Sequence, residues 1–141
     1  MQDCGKCTIC CILPKIIEMD SPCGEYCKEC IPCVGCNIYK DRPEPCREFQ
    51  CSWSQMNFAH IDLRPNNCGV MFEKVNETLM LGSVIGKLKD ISELIKNQIR
   101  FFNDEGISVM MQQFNPHKFI CYMVEGASKE KIQKALEEKS K

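Results

Sequence analysis

The stretch CGKCTICC, residues 4 to 11, places four thiols in eight positions. Crowding of that kind restricts the fold more than any hydropathy pattern in the chain. Such thiols either hold something in common or exchange electrons or disulfides. Twelve of the 13 cysteines lie between Cys4 and Cys68, and only Cys121 stands beyond them. Other apolar residues run the opposite way, with 19 in residues 1–68 and 27 in the shorter stretch 70–127. The first half is also rich in Pro, Gly and turn residues. A segment so poor in material for a core does not readily offset its chain entropy by burial. Metal ligation does so by another route, since a structural zinc supplies on the order of 10 kcal/mol of folding free energy.

The compartment bears on that choice. The opening MQDCGKC is polar and lacks the apolar stretch of a signal peptide. No apolar run approaches the roughly 18 to 20 residues that cross a bilayer. A cytoplasmic protein without membrane attachment is therefore expected, and there dense cysteine reads as metal binding or redox chemistry. The odd total of 13 also suits complete disulfide pairing poorly. The 18 basic and 19 acidic residues nearly cancel, and no Lys/Arg-rich run suggests a nucleic-acid surface.

At 141 residues, one compact domain is expected, with a cysteine-cluster lobe over 1–68 and an α+β lobe over 69–141 packed against it. In the second lobe VMFEKV (70–75) and LMLGSVI (79–85) read as strands joined by an Asn-led turn. Ile91, Leu94, Ile95, Ile99 and Phe102 fall at helical spacing, with Asp90 as the expected cap, Glu93 three residues on, and Gly106 as the stop. Residues 107–114 and 118–124 read as two further strands about Asn115-Pro116-His117. A last helix begins near Ser128 with Ile132, Ala135 and Leu136 on one face. The order β-β-α-β-β-α suggests an α+β fold: a small antiparallel sheet with its helices on one face.

In the first lobe the thiols run Cys4, Cys7, Cys10, Cys11, Cys23, Cys27, Cys30, Cys33, Cys36, Cys46 and Cys51, with two-residue gaps recurring. A Cys-x-x-Cys turn lets two sulfurs converge on one ion. Zinc takes four thiolates at about 2.3 Å, and cysteines at two-residue gaps also open the run that holds a cubane iron–sulfur cluster. The pattern speaks for a soft metal without choosing between the two. Adjacent side chains diverge on a regular backbone, so Cys10 and Cys11 are expected to serve different ions or different edges of one cluster.

CGKCTICC, then YCKEC, then GCNIYKDRPEPCREFQCSW together resemble the CxxCxxCC cysteine-cluster family, a zinc- or iron-chelating, YkgJ-like domain. The last block is carried by Gly35, Cys36, Ile38, Tyr39, Arg42, Pro43, Cys46, Arg47, Phe49, Cys51 and Trp53. The entry RPNNCGVMFE (64–73) is similar as well. The resemblance implies metal chelation, by zinc ions or an iron–sulfur cluster. It implies Cys4, Cys7, Cys10, Cys11, Cys27, Cys30, Cys36, Cys46 and Cys51 as ligands. A related motif in flagellin lysine methylases is associated with an iron–sulfur cluster. Cys23, Cys33, Cys68 and Cys121 have no place in that pattern.

Other residues are read more plainly. Cys33 lies three residues from both Cys30 and Cys36 and is able to replace either as a ligand. Cys68 and Cys121 are expected to be structural, although Cys68 is also placed to close a site beside the cluster. Arg42 and Arg47 are expected to pair with carboxylates or metal-bound thiolates, because a four-thiolate zinc site carries a net charge of about −2. Tyr39, Phe49 and Trp53 are expected to keep water from the metal. His60 and His117 are read as surface or satisfied core residues. No G-x-S-x-G, P-loop or Rossmann fingerprint is present, so no common catalytic plan is indicated. A non-enzymatic metal-binding protein is the leading expectation. An iron–sulfur electron carrier or the cluster module of a modifying enzyme comes next. A thiol–disulfide oxidoreductase ranks third, because its Cys-x-x-Cys pair ordinarily stands alone.

Overall fold

A computed structural model describes residues 7–12, 25–49, 51–55 and 60–139. Cys4 and Cys23 lie outside the described residues. The chain divides into two compact units, Met1–Met71 and Phe72–Lys141.

The first unit is built of short pieces. A 3-10 turn spans Ile9–Cys11. Strands β1 (Cys30–Ile31) and β2 (Gly35–Cys36) form a small antiparallel hairpin, followed by a 3-10 turn over Tyr39–Asp41. Three brief helices follow: α1 (Glu44–Glu48), α2 (Ser52–Gln55) and α3 (Pro65–Cys68), with a 3-10 turn at Ile61–Leu63 before the last. Pro45 and Pro65 sit in the first turns of their helices, where a missing N–H costs nothing. Gly69, at φ 74°, ends α3 in the left-handed conformation that glycine adopts without strain. Among the described residues, the buried apolar side chains of this unit are Ile9, Cys27, Trp53, Val70 and Met71; those from Phe72 to Ala135 belong to the second.

The second unit carries most of a four-stranded sheet, β3 (Val70–Asn76), β4 (Leu79–Val84), β5 (Ser108–Gln113) and β6 (Lys118–Tyr122), in that spatial order. The Asn-led turn is present: Asn76 Oδ1 accepts from the Thr78 amide at 2.8 Å and from its hydroxyl at 3.1 Å. Helix α4 (Glu93–Asp104) joins β4 to β5, and α5 (Lys129–Lys139) follows β6. The element order is therefore β-β-α-β-β-α, as expected.

Three expectations are corrected. The sheet is mixed rather than antiparallel, because β4 and β5 run parallel with Leu79 opposite Ser108 and Val84 opposite Gln113. The α4 crossover returns the chain to the end from which β4 started, and a parallel neighbour requires such a connection. The helices do not share a face. Phe102 of α4 meets Phe72 at 5.4 Å between ring centroids, on the face where a Cβ on Gly82 would strike Phe72 and Met111. Ile132 and Ala135 of α5 instead pack with Leu79, Val75, Met110 and Cys121 on the opposite face. Finally, α4 is capped by Ser92, whose hydroxyl accepts from the Ile95 amide at 3.3 Å. Asp90 belongs to a 3-10 turn, Leu88–Asp90, and Ile91 beyond it is extended. Gly106, at φ 80°, closes the helix as anticipated.

Candidate metal centre

The segment from Cys7 to Cys11 is anchored by Thr8 and Ile9, both buried. The Cys11 amide donates to the Thr8 carbonyl at 3.0 Å, closing the 3-10 turn that presents Cys10 and Cys11. The Thr8 hydroxyl accepts from the Cys33 amide at 3.1 Å and donates toward the Cys30 sulfur. A backbone bond from Cys27 to the Cys11 carbonyl, 2.8 Å, brings the second cysteine segment to the first. The Cys30 amide then turns back to the Cys27 carbonyl at 2.9 Å, as a Cys-x-x-Cys turn requires.

The hairpin sets Cys30 directly opposite Cys36. Opposed residues of an antiparallel pair project from one face. Cys33 occupies the connecting turn, exposed and at φ 59°, so it is not interchangeable with the two strand cysteines. After the Arg42-Pro43 corner, α1 carries Cys46, whose amide donates to the Pro43 carbonyl at 3.0 Å. Cys51 stands just before α2, its carbonyl held by the Ser54 hydroxyl at 2.8 Å.

All 11 described cysteines are free thiols. Eight of the nine expected ligands fall among them. The Cys11 thiol interacts chiefly with Cys10, and Cys30 lies close enough to add to its shift. Sharing a proton with Cys10, together with burial, pushes the Cys11 thiol far above the ordinary range. The same bond draws Cys10 down to about 7, with help from the Arg42 charge. Burial raises Cys46, and the neighbouring Cys27, Cys10 and Cys36 add to the rise. Burial also raises Cys30, aided by Cys10 and Cys27. Cys7 is raised chiefly by burial, with Cys10 and Cys51 adding to it.

Cys10 and Cys11, adjacent in the Ile9–Cys11 turn, influence one another's thiols.

No group of three or more His, Cys, Asp or Glu side chains stands at ligating geometry among the described residues. The described thiols are of the right chemical kind for a soft cation, but they are distributed over four segments and not drawn up around a point.

Cys68 is the neighbour that the pattern did not supply. Its thiol sits 3.3 Å from both the Leu63 and Val70 carbonyls, and Cys7 lies near enough to raise it beyond what burial does. No local spacing reveals that approach, since it joins positions far apart in sequence. Cys121 lies in β6, half-buried against the α5 cluster, as a core cysteine would. Trp53 is buried and its Nε1 donates to the His60 carbonyl at 3.0 Å. Tyr39, expected to be a shield, is 62% exposed. Its ring instead carries the Arg42 guanidinium, with Cζ 3.9 Å from the centroid. His60 caps the Ile61–Leu63 turn, its Nδ1 accepting from the Asp62 amide at 3.1 Å. His117 is exposed and stacks on Phe114.

Compared with known proteins, the chain matches no family model, no curated protein and no solved structure. No helix among the described residues is long and apolar enough to cross a membrane.

Proposed function

We propose that residues 1–71 form a thiolate-rich site for a thiophilic metal, zinc or iron in an iron–sulfur cluster, and that binding this metal is the unit's function. The observation that carries the reading is that eight of the expected ligands are free thiols, with the Cys27 amide bonded to the Cys11 carbonyl and Cys30 set opposite Cys36. The resemblance to the CxxCxxCC cysteine-cluster family supports the same chemistry and adds Cys4 to the ligand set. A soft cation converts buried, proton-bearing thiols into thiolates and replaces their mutual repulsion by shared bonds. Four thiolates suffice for one zinc, and the surplus of free thiols favours keeping an iron–sulfur cluster as the second reading.

Anaerobic purification followed by elemental analysis and absorption spectroscopy tests the proposal. Stoichiometric zinc in a colourless protein, or iron with sulfide and visible absorption, is the expected outcome. A protein that takes up neither metal, and gives no sulfur-to-cobalt charge-transfer band with Co²⁺, contradicts it.

A further inference from the structure

Cys30, Cys33 and Cys36 are evenly spaced in sequence, but the hairpin treats them differently. The Asn37 amide donates to the Glu29 carbonyl at 2.8 Å. With Cys30 opposite Cys36 and Ile31 opposite Gly35, Glu29 and Asn37 are the next opposed residues. Hydrogen-bonded and non-hydrogen-bonded positions alternate along an antiparallel pair. Glu29 and Asn37 hold a hydrogen-bonded position, so Cys30 and Cys36 hold a non-hydrogen-bonded one. Such a position sets opposed Cα atoms about 4.5 Å apart and brings their side chains closest. A disulfide accepts Cα separations of about 4.4–6.8 Å. The turn is tied twice, by the Val34 amide on the Ile31 carbonyl at 3.0 Å and by the Cys33 amide on the Thr8 hydroxyl at 3.1 Å. Cys33 stands exposed in that turn at φ 59°, outside the paired register. Cys30 and Cys36 are free and partly exposed, within reach of a small solute.

We propose that Cys30 and Cys36 are an oxidisable dithiol that closes to a cross-strand disulfide, with a low-molecular-weight disulfide such as oxidised glutathione as the oxidant. One protein thiolate attacks a sulfur of the small disulfide and releases a first small thiolate. The other attacks the protein sulfur of the mixed disulfide and releases the second. The two thiol protons end on the two small thiols. Cys30 and Cys36 together lose two electrons, and the small disulfide gains them. The assignment goes beyond the metal reading and does not rest on it, because the hairpin register alone sets the pair. Spacing would equally nominate Cys30 with Cys33 or Cys33 with Cys36; the register excludes both.

The test equilibrates the full wild-type chain, as purified, in glutathione buffers of rising oxidised fraction, under native conditions and in concentrated guanidinium chloride. Free thiols are alkylated, the chain is cleaved after Lys28 and Lys40, and the 29–40 peptide is sequenced by mass spectrometry. Under native conditions the peptide should be two hydrogens lighter and carry its alkyl label on Cys33 alone. The share of the Cys30–Cys36 bond over the two pairings through Cys33 should be at least about tenfold higher than in denaturant, where only chain length sets the local thiol concentration. Cys33→Ser should form the same bond with a midpoint within about twofold of wild type, as an exposed substitution does. Oxidation of Cys33 with either neighbour, pairing of Cys30 or Cys36 outside the peptide, or glutathione adducts in place of a bond overturns the proposal. So does the same pairing ratio with and without denaturant, because the register then selects nothing.

Discussion

Cys30 and Cys36 stand opposite one another across a hairpin only two residues deep on each strand, and Cys33 occupies the turn between them. This pairing separates three cysteines that spacing alone leaves equivalent. Cys30→Ser and Cys36→Ser should each weaken zinc or cobalt binding by at least about tenfold, a lost thiolate ligand costing more than an ordinary hydrogen bond. Cys33→Ser should leave it within about twofold, the ordinary reach of an exposed surface substitution. Metal competition on the three variants measures the contrast.

Thr8 lies within the Cys7–Cys10 segment, and its buried hydroxyl accepts from the Cys33 amide. Thr8→Val keeps the shape and leaves that amide without its acceptor. The metal-loaded protein should lose about 1–3 kcal/mol of stability. Thr8→Ser should restore most of it. Urea unfolding at fixed metal concentration distinguishes the two.

Metal binding should depend on pH with a definite sign. Cys7, Cys11, Cys30 and Cys46 are all raised above the usual thiol range. At neutral pH they carry protons, and each must release its proton to ligate. Apparent affinity should therefore rise with pH across about pH 6 to 8, where bound metal holds thiolates that the metal-free protein protonates. Calorimetry in buffers of different ionisation enthalpy should register proton release on binding. Affinity that is flat or falling over this range would show that these thiols are not the ligands.

Gly82 offers a control in the other unit. A Cβ there would lie 2.3 Å from Met111 Sδ and 2.9 Å from Phe72 Cε1. Gly82→Ala should cost about 1–3 kcal/mol, the usual range for overpacking a filled core. Zinc affinity should stay as in the wild type. Thermal unfolding and metal competition on the same preparation check both halves of the prediction.

The local parts of the fold were legible in the sequence because local chemistry decides them. Asn76 makes the hairpin turn its side chain suits, Gly106 stops α4, and Ile132 and Ala135 mark the buried face of α5. The parallel pairing of β4 with β5 was not legible, since the strand beside which a crossover lands is a property of the whole sheet. The cap shifted from Asp90 to Ser92 because the extended Ile91 interrupts the pattern. In the candidate site, spacing identified the cysteines, while their neighbours were set at longer range. Cys68 reaches the surroundings of Cys7 from α3, and Arg42 reaches those of Cys10 from beyond the hairpin.

The central claim is that a bound cation supplies the first unit with the cohesion that apolar burial supplies to the second. Amide hydrogen exchange on the metal-loaded chain, before and after chelation, tests it most directly. Residues 25–49 should lose their protection when the metal is removed, while β4, β5 and α4 keep theirs. Protection in residues 25–49 that survives complete metal removal would contradict the claim.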